Sequence, residues 1–185
     1  MKTALLLIDV QESFRARPYW SAAELPRFLD RTRALVAGSV ARGVPIVRVL
    51  HEDEPAAASN PFARTSGLVR PLEGLGEVAP ALQIVKGRHS ALAGTGLSIW
   101  LRRHGVGRVI VSGIRTEQCC ETTSRHASDE GFEVDFVTEA TLTFDMRYPD
   151  GRPLPARDVV ARTEAVLADR FATLCSVESA LERAR

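Results

Sequence analysis

The chain of 185 residues is 45% hydrophobic and 25% charged, the proportions of a soluble globular protein, and its length predicts a single domain over 1–185. A formal net charge of +1 leaves no basic excess to neutralise phosphates, which argues against nucleic acid or a membrane surface held by bulk charge. Three cysteines are too few, and odd in number, for a secreted disulfide framework, so a reducing cytoplasm is expected; the apolar run in MKTALLLIDV meets Asp9 too early for a signal segment or a span.

Leu5 to Ile8 reads as a buried strand that ends at Asp9. Ser21-Ala-Ala-Glu24 has the spacing of a capping box, and Phe28, Leu29, Thr32, Leu35 and Val36 then recur at helical spacing until Gly43. Val44 to Leu50 is a second strand, rich in β-branched residues. Residues 52 to 82 are rich in Pro, Ala and Gly and predict a long irregular connection with one short helix at most. Ile84-Val85 is a third strand leading into Lys86. Leu97 to His104 reads as a helix stopped by Gly105. Val109 to Val111 is a fourth strand, Glu117 to Glu130 a helix, and Phe132 to Val137 a fifth strand. Arg147 to Pro155 is a Pro/Gly loop, Val159 to Leu167 a last helix, and Thr173 to Val177 a sixth strand.

Strands alternate with helices throughout, which predicts a parallel sheet covered on both faces. Ligands in such folds bind at the carboxyl ends of the strands, near the point where strand order reverses. Asp9, Lys86 and the Gly113 turn all fall at such ends, so they can meet although they are far apart in sequence.

The stretch GIRTEQCCETTSRHA, 113 to 127, is strand, tight turn and helix, with Thr116 as N-cap. Cys119 falls in the first helical turn, where free N–H groups and the helix dipole favour a thiolate or an oxyanion. Cys120 is rotated by about 100° and shares a face with Thr123, Ser124 and Ala127, which reads as core. Reactivity is therefore expected of Cys119 and burial of Cys120 and Cys175. Asp9 supplies a carboxylate and Lys86 a cation: with Cys119 they form an activated-nucleophile set.

The three segments LLLIDVQESF, IVKGRHSALAGTGL and VIVSGIRTEQCCETTSRHA, in this order, resemble the isochorismatase-like cysteine hydrolases over most of the chain. The resemblance implies a triad of Asp9, Lys86 and Cys119, and a three-layer α/β/α Rossmann-like fold with six parallel strands. The strand order expected is 3-2-1-4-5-6, with the pocket between the ends of strands 1 and 4. It also implies a non-proline cis peptide at Ile114–Arg115 and an oxyanion hole made by the N–H groups of Arg115 and Cys119. Family members are commonly homo-oligomers, so at least a dimer is expected. Three positions depart from the family pattern: His126 replaces an aspartate, Leu92 a phenylalanine, and Arg115 a small residue, with a side chain long enough to reach toward substrate or solvent. The nicotinamidase branch carries an Asp-x-His metal motif with a further His. Here HEDEP at 51–55 and the distant His89 leave that set incomplete, so no metal and no cofactor are expected.

Gln11, Phe14, Trp20 and His51 read as pocket wall, with the core as the competing place for the aromatics. Cys119 and Arg125 spell the Cys-x5-Arg of tyrosine phosphatases, but the intervening residues lack the glycine that an anion-cradling loop needs. The function expected is a cysteine-dependent amidase acting on a small amide or carbamoyl/ureido compound. The alternative is isochorismatase-type vinyl-ether hydrolysis by Asp9 without the thiol. Arg115, His51 and Arg147 are candidate cations for a substrate carboxylate.

Overall fold

The computed structural model describes residues 1–53 and 59–184. A parallel sheet of six strands runs in the order β3-β2-β1-β4-β5-β8. Its strands are β1 (Lys2–Ile8), β2 (Ile46–His51), β3 (Leu82–Lys86), β4 (Val106–Ile114), β5 (Glu133–Leu142) and β8 (Thr173–Leu174). The two remaining strands, β6 (Met146–Arg147) and β7 (Pro153–Leu154), form an antiparallel hairpin inside the expected Pro/Gly loop. The order is the one the sequence predicts, with β8 as the sixth strand.

β1 shows why its sequence is an unbroken apolar run. Leu5 and Leu7 join a core layer with Phe28, Leu29, Leu35 and Val36 of α1 (Leu25–Ala41) and with Val177, Ala180 and Leu181 of α5 (Val177–Arg183). Ala4, Leu6 and Ile8 point the other way, toward Leu97 and Leu101 of α2 (Leu97–Arg103), Ala127 of α3 (Glu121–Asp129) and Leu167 of α4 (Ala156–Leu167). Both faces are covered, so alternation of polar and apolar residues disappears.

Three local expectations differ from the structure. The capping box does not form: Ser21 Oγ accepts from the N–H of Ala23, and the helix begins later, with Pro26 in its first turn and Glu24 at the N-cap without a side-chain bond. Proline is well placed there because its φ is preset and its missing N–H would have no helical partner. The sixth strand is two residues long, because Ser176 caps a short helix, α5, by accepting from the N–H of Ser179 at 3.1 Å. The helix expected from Glu117 opens instead as a π-helical turn, Thr116–Cys120, before α3 begins.

Gly113 marks where β4 meets β1. Its φ is +139°, and a Cβ there would lie 1.9 Å from the Ile8 carbonyl oxygen, inside β1 backbone. Only glycine lets the two central strands stay paired up to Ile8–Gly113, one residue before Asp9. Gly113→Ala is expected to cost about 2 kcal/mol or more and to lower the thermal midpoint by roughly 4 °C or more. Calorimetry checks this, and an unchanged midpoint would contradict the close approach.

Candidate active site

Strand register assembles the site. Ile8 pairs with Val49 on one side and with Gly113 on the other, and His51 pairs with Lys86. The carboxyl ends of β1, β2, β3 and β4 therefore finish side by side, which brings Asp9, His51, Lys86 and the turn after Ile114 to one edge. Asp9 leaves the sheet in the left-handed region, φ +52°, with its N–H on the Val49 carbonyl at 2.9 Å. Aspartate tolerates that region better than most residues, yet it still carries strain of about 1–3 kcal/mol.

Lys86 lies two strands from β1, roughly 9.5 Å across the sheet, so a long side chain is needed to reach Asp9. It spans the gap and places Nζ 2.8 Å from Asp9 Oδ2, with both side chains 0% exposed. The same nitrogen lies 3.0 Å from the Arg88 carbonyl, 3.1 Å from His51 Nδ1 and 3.4 Å from Cys119 Sγ. An isolated ammonium in such a place would cost several kcal/mol of lost hydration. Burial works to lower the Lys86 pKa, but Asp9 and Cys119 outweigh it, and the net shift is upward. The lysine is therefore a fixed cation. Asp9 Oδ1 has no hydrogen-bond partner among the described residues, so one oxygen of the carboxylate is left for chemistry.

The π-helical turn presents Cys119. Its ring closes through the Cys120 N–H to the Arg115 carbonyl at 3.2 Å. Such turns are rare and concentrate at functional sites. The peptide bond between Ile114 and Arg115 is cis. Thr116 does not cap with its hydroxyl, which donates to Thr141 Oγ1 at 2.8 Å, and Thr143 donates to Glu117 Oε2 at 2.6 Å, so β5 braces the turn. Both cysteines are buried, Cys119 at 6% and Cys120 at 0% exposure, and burial alone does not separate them. Both belong to the core layer that holds Ala127, Val134 and Phe136, and what distinguishes Cys119 is that its Sγ also meets the Lys86 ammonium.

The thiol is not the stabilised thiolate that the helix start suggests. Burial pushes its pKa far above the ordinary thiol range, Asp9 pushes it further, and Lys86 only opposes the rise. Burial and the Asp9 carboxylate thus favour the neutral thiol at Cys119.

An isochorismatase domain model matches residues 3–177. The chain belongs to the isochorismatase family. It is a hydrolase of that superfamily. It is 32% identical over 144 residues to a streptothricin hydrolase of Streptomyces noursei, a match spanning 77% of this chain and 50% of that protein. It is 46% identical over 66 residues to nicotinamidase 3 of Arabidopsis thaliana, covering 36% of this chain and 33% of the relative. In three dimensions it is similar to a crystal structure of an isochorismatase-family protein from Chromobacterium violaceum, with a TM-score of 0.86, 28% identity, and 98% and 92% of the two chains covered.

Within this family site, the residues read as pocket wall divide. His51 stands at the centre, on Lys86. Gln11 is fully buried and holds His51 by its backbone, accepting from its N–H at 2.7 Å and donating to its carbonyl at 3.0 Å; its amide is engaged by the fold. Phe14 packs edge-on to Phe62, which in turn faces His51, so this aromatic pair backs the His51 side. Trp20 packs on Phe144 with Tyr19 beside it.

Arg115 corrects the expectation of a side chain reaching for substrate or solvent. It is 6% exposed, with its guanidinium 4.8 Å from the Tyr19 ring and 2.8 Å from Glu117 Oε1. An internal carboxylate takes its charge. Arg147 is exposed and donates to the Gly151 carbonyl at the tip of the β6–β7 hairpin. Arg125 removes the phosphatase reading: it pairs with Glu121 and stacks over Phe171, so it does not cradle an anion at Cys119. His126 joins Ser90 Oγ at 2.8 Å and Glu130 at 3.2 Å, fastening α3 to the loop after β3.

Sequence reasoning missed two residues here. His89 brings Nδ1 to 3.8 Å from Cys119 Sγ, and Asp53 brings Oδ1 to 2.7 Å from His51 Nε2. The His-x-Asp spacing of 51–53 is a legible signal for the second. Glu54 and Pro55 of the HEDEP segment lie outside the described residues. Among the described residues no group of three or more His, Cys, Asp or Glu is placed to hold a metal ion. A concavity of about 1030 Å³ lies between α1, the end of β5 and α4. Asp9, Lys86 and Cys119 do not line it, and volume is a poorer guide here than the buried charges.

The raised pKa values have a consequence for stability. Cys119, Cys120 and Lys86 all hold their protons more tightly folded than unfolded. Above about pH 8.5 the unfolded thiols ionise first, so the unfolded state binds fewer protons and stability falls as pH rises. The thermal midpoint is expected to be level just below that pH and to decline above it, less steeply in Cys119→Ala. A midpoint that climbs with alkaline pH would contradict the buried neutral thiol.

Proposed function

We propose that this hydrolase cleaves the C–N bond of a small amide or carbamoyl/ureido compound through a thioester on Cys119. The observation that carries the reading is the Lys86 ammonium within reach of both the Asp9 carboxylate, at 2.8 Å, and the Cys119 sulfur, at 3.4 Å. Vinyl-ether hydrolysis needs only an acid, and a thiol at this nitrogen would have no role in it. The nicotinamidase and streptothricin hydrolase relatives give further support.

In the first half-reaction the Cys119 S–H gives its proton to Asp9, and Lys86 stabilises the thiolate that forms. Sulfur attacks the carbonyl carbon, and the oxyanion is held by the N–H groups of Arg115 and Cys119. Asp9 returns the proton to the leaving nitrogen as the C–N bond breaks. In the second, water attacks the thioester, Asp9 takes a proton from it, and the C–S bond breaks with the proton passing back to sulfur. The acid and the amine or ammonia are released, and the enzyme is restored. His51, with Phe14 and Phe62 behind it, forms one wall of the pocket. Because Glu117 occupies Arg115, a substrate carboxylate is not a requirement of this site.

An ammonia-release screen over small amides, ureido acids and isochorismate tests the reading. Cys119→Ala and Asp9→Asn are each expected to reduce amide turnover by about a thousandfold or more, the scale of losing a nucleophile or its base. Isochorismate turnover that survives Cys119→Ala, with no amide cleaved, would establish the vinyl-ether chemistry instead.

A further inference from the structure

Lys86 offers three N–H bonds, and four acceptors surround them. The Arg88 carbonyl and His51 Nδ1, at 3.0 and 3.1 Å, keep the same charge whatever happens at the thiol. Asp9 Oδ2 and Cys119 Sγ, at 2.8 and 3.4 Å, exchange a negative charge when the thiol proton moves. His51 can serve as an acceptor only with its proton on Nε2. That nitrogen lies 2.7 Å from Asp53 Oδ1, and a carboxylate only accepts, so Nε2 carries the hydrogen and Nδ1 turns its lone pair to Lys86.

We propose that His51 is a positioning residue: with the Arg88 carbonyl it anchors two N–H bonds of Lys86, so that the third passes between Asp9 and Cys119 as charge moves from one to the other. The proposal rests on the thiol reading above. At rest the third N–H lies on Asp9 Oδ2. When Asp9 takes the thiol proton it becomes neutral, the sulfur becomes the anion, and the same N–H follows the charge. No bond to carbon forms or breaks in this step, and one proton moves from sulfur to oxygen. Without an acceptor at the place of Nδ1, a buried N–H loses its partner. The ammonium then tips toward the carboxylate, and Asp9 becomes a weaker base.

The surroundings of His51 suit a fixed ring. Gln11 holds its backbone from both sides, the Asp53 N–H donates to the Phe62 carbonyl at 3.0 Å, and the Phe62 ring stands edge-on to the imidazole. Among the described residues, the charged and titratable groups that meet the imidazole are Asp53, Lys86 and the His89 ring, which lies parallel to it with centroids 6.4 Å apart.

The test is peptide-resolved alkylation of Cys119 by iodoacetamide at neutral pH in the full-length protein, with thermal melting as the check on folding. His51→Asn keeps an amide oxygen near the place of Nδ1, and His51→Gln carries it one carbon further, toward the place of Nε2. The Asn variant is expected to alkylate within about threefold of wild type and the Gln variant about tenfold more slowly, the size of one lost charge-assisted hydrogen bond. A folded Gln variant as fast as wild type, or an Asn variant as slow as Gln, would overturn the proposal. Asp53→Ala tests it at a side chain that is 47% exposed, where folding is not at stake. It should slow Cys119 in the same direction by releasing the tautomer, and an unchanged rate would also overturn the proposal. Because alkylation reads the thiol, a protein that cleaves no amide yet shows the Asn–Gln contrast would end the amidase reading and sustain this one.

Discussion

The buried pair between Lys86 and Asp9 is the constraint to which the rest of the site answers. Two opposite charges with no solvent exposure are stable only if geometry is good and the remaining hydrogen-bonding capacity is met. On the lysine it is met by a histidine nitrogen and a backbone carbonyl, while Asp9 Oδ1 has no partner among the described residues. The sheet must therefore bring four strand ends level, and it does so through a β1–β4 contact that only Gly113 permits and a β2–β3 register that ends on His51 and Lys86. Removing either charge would leave the other buried and unpaired, which is why stability and chemistry cannot be separated at these two positions.

In the proposed mechanism the cysteine draws its reactivity from what stands beside it. Burial and Asp9 keep the thiol protonated at rest, so the site stores no free thiolate that could be oxidised or alkylated at will. In the proposed mechanism Asp9 accepts the thiol proton, and this converts the charge pair from lysine–carboxylate to lysine–thiolate without changing the net charge of the pocket. In a low-dielectric site, moving a charge over a short distance costs far less than creating one. Asp9 is equipped for this by one oxygen on Lys86 and another without a partner among the described residues.

Much of this was legible in the sequence where residue type and position are strongly coupled. The unbroken apolar run of Leu5 to Ile8, its end at Asp9, and the alternation of strands with helices gave the parallel sheet, and its order came with the family resemblance. The assignment of the two cysteines followed from helical rotation, and Cys120 does lie in the core. Side-chain destinations were not legible. Arg115 has several directions open to it, and only the folded chain reveals Glu117, Tyr19 and Phe144 waiting for it. Gln11 reads as polar pocket wall until the β2 end is placed against it. The sign of the thiol shift depended on the depth of burial, which a helix N-terminus could not report. The short helix α5 and the β6–β7 hairpin carry too few residues for a period to emerge; Ser176 was the local signal for α5, and the Pro and Gly residues of 147–155 marked only a loop.

The most direct measurement is peptide-resolved mass spectrometry of the protein quenched during turnover of a slow amide. The account predicts an acyl mass increment on Cys119 alone, absent in Asp9→Asn. An increment on Cys120, or turnover with neither cysteine ever labelled, would contradict it.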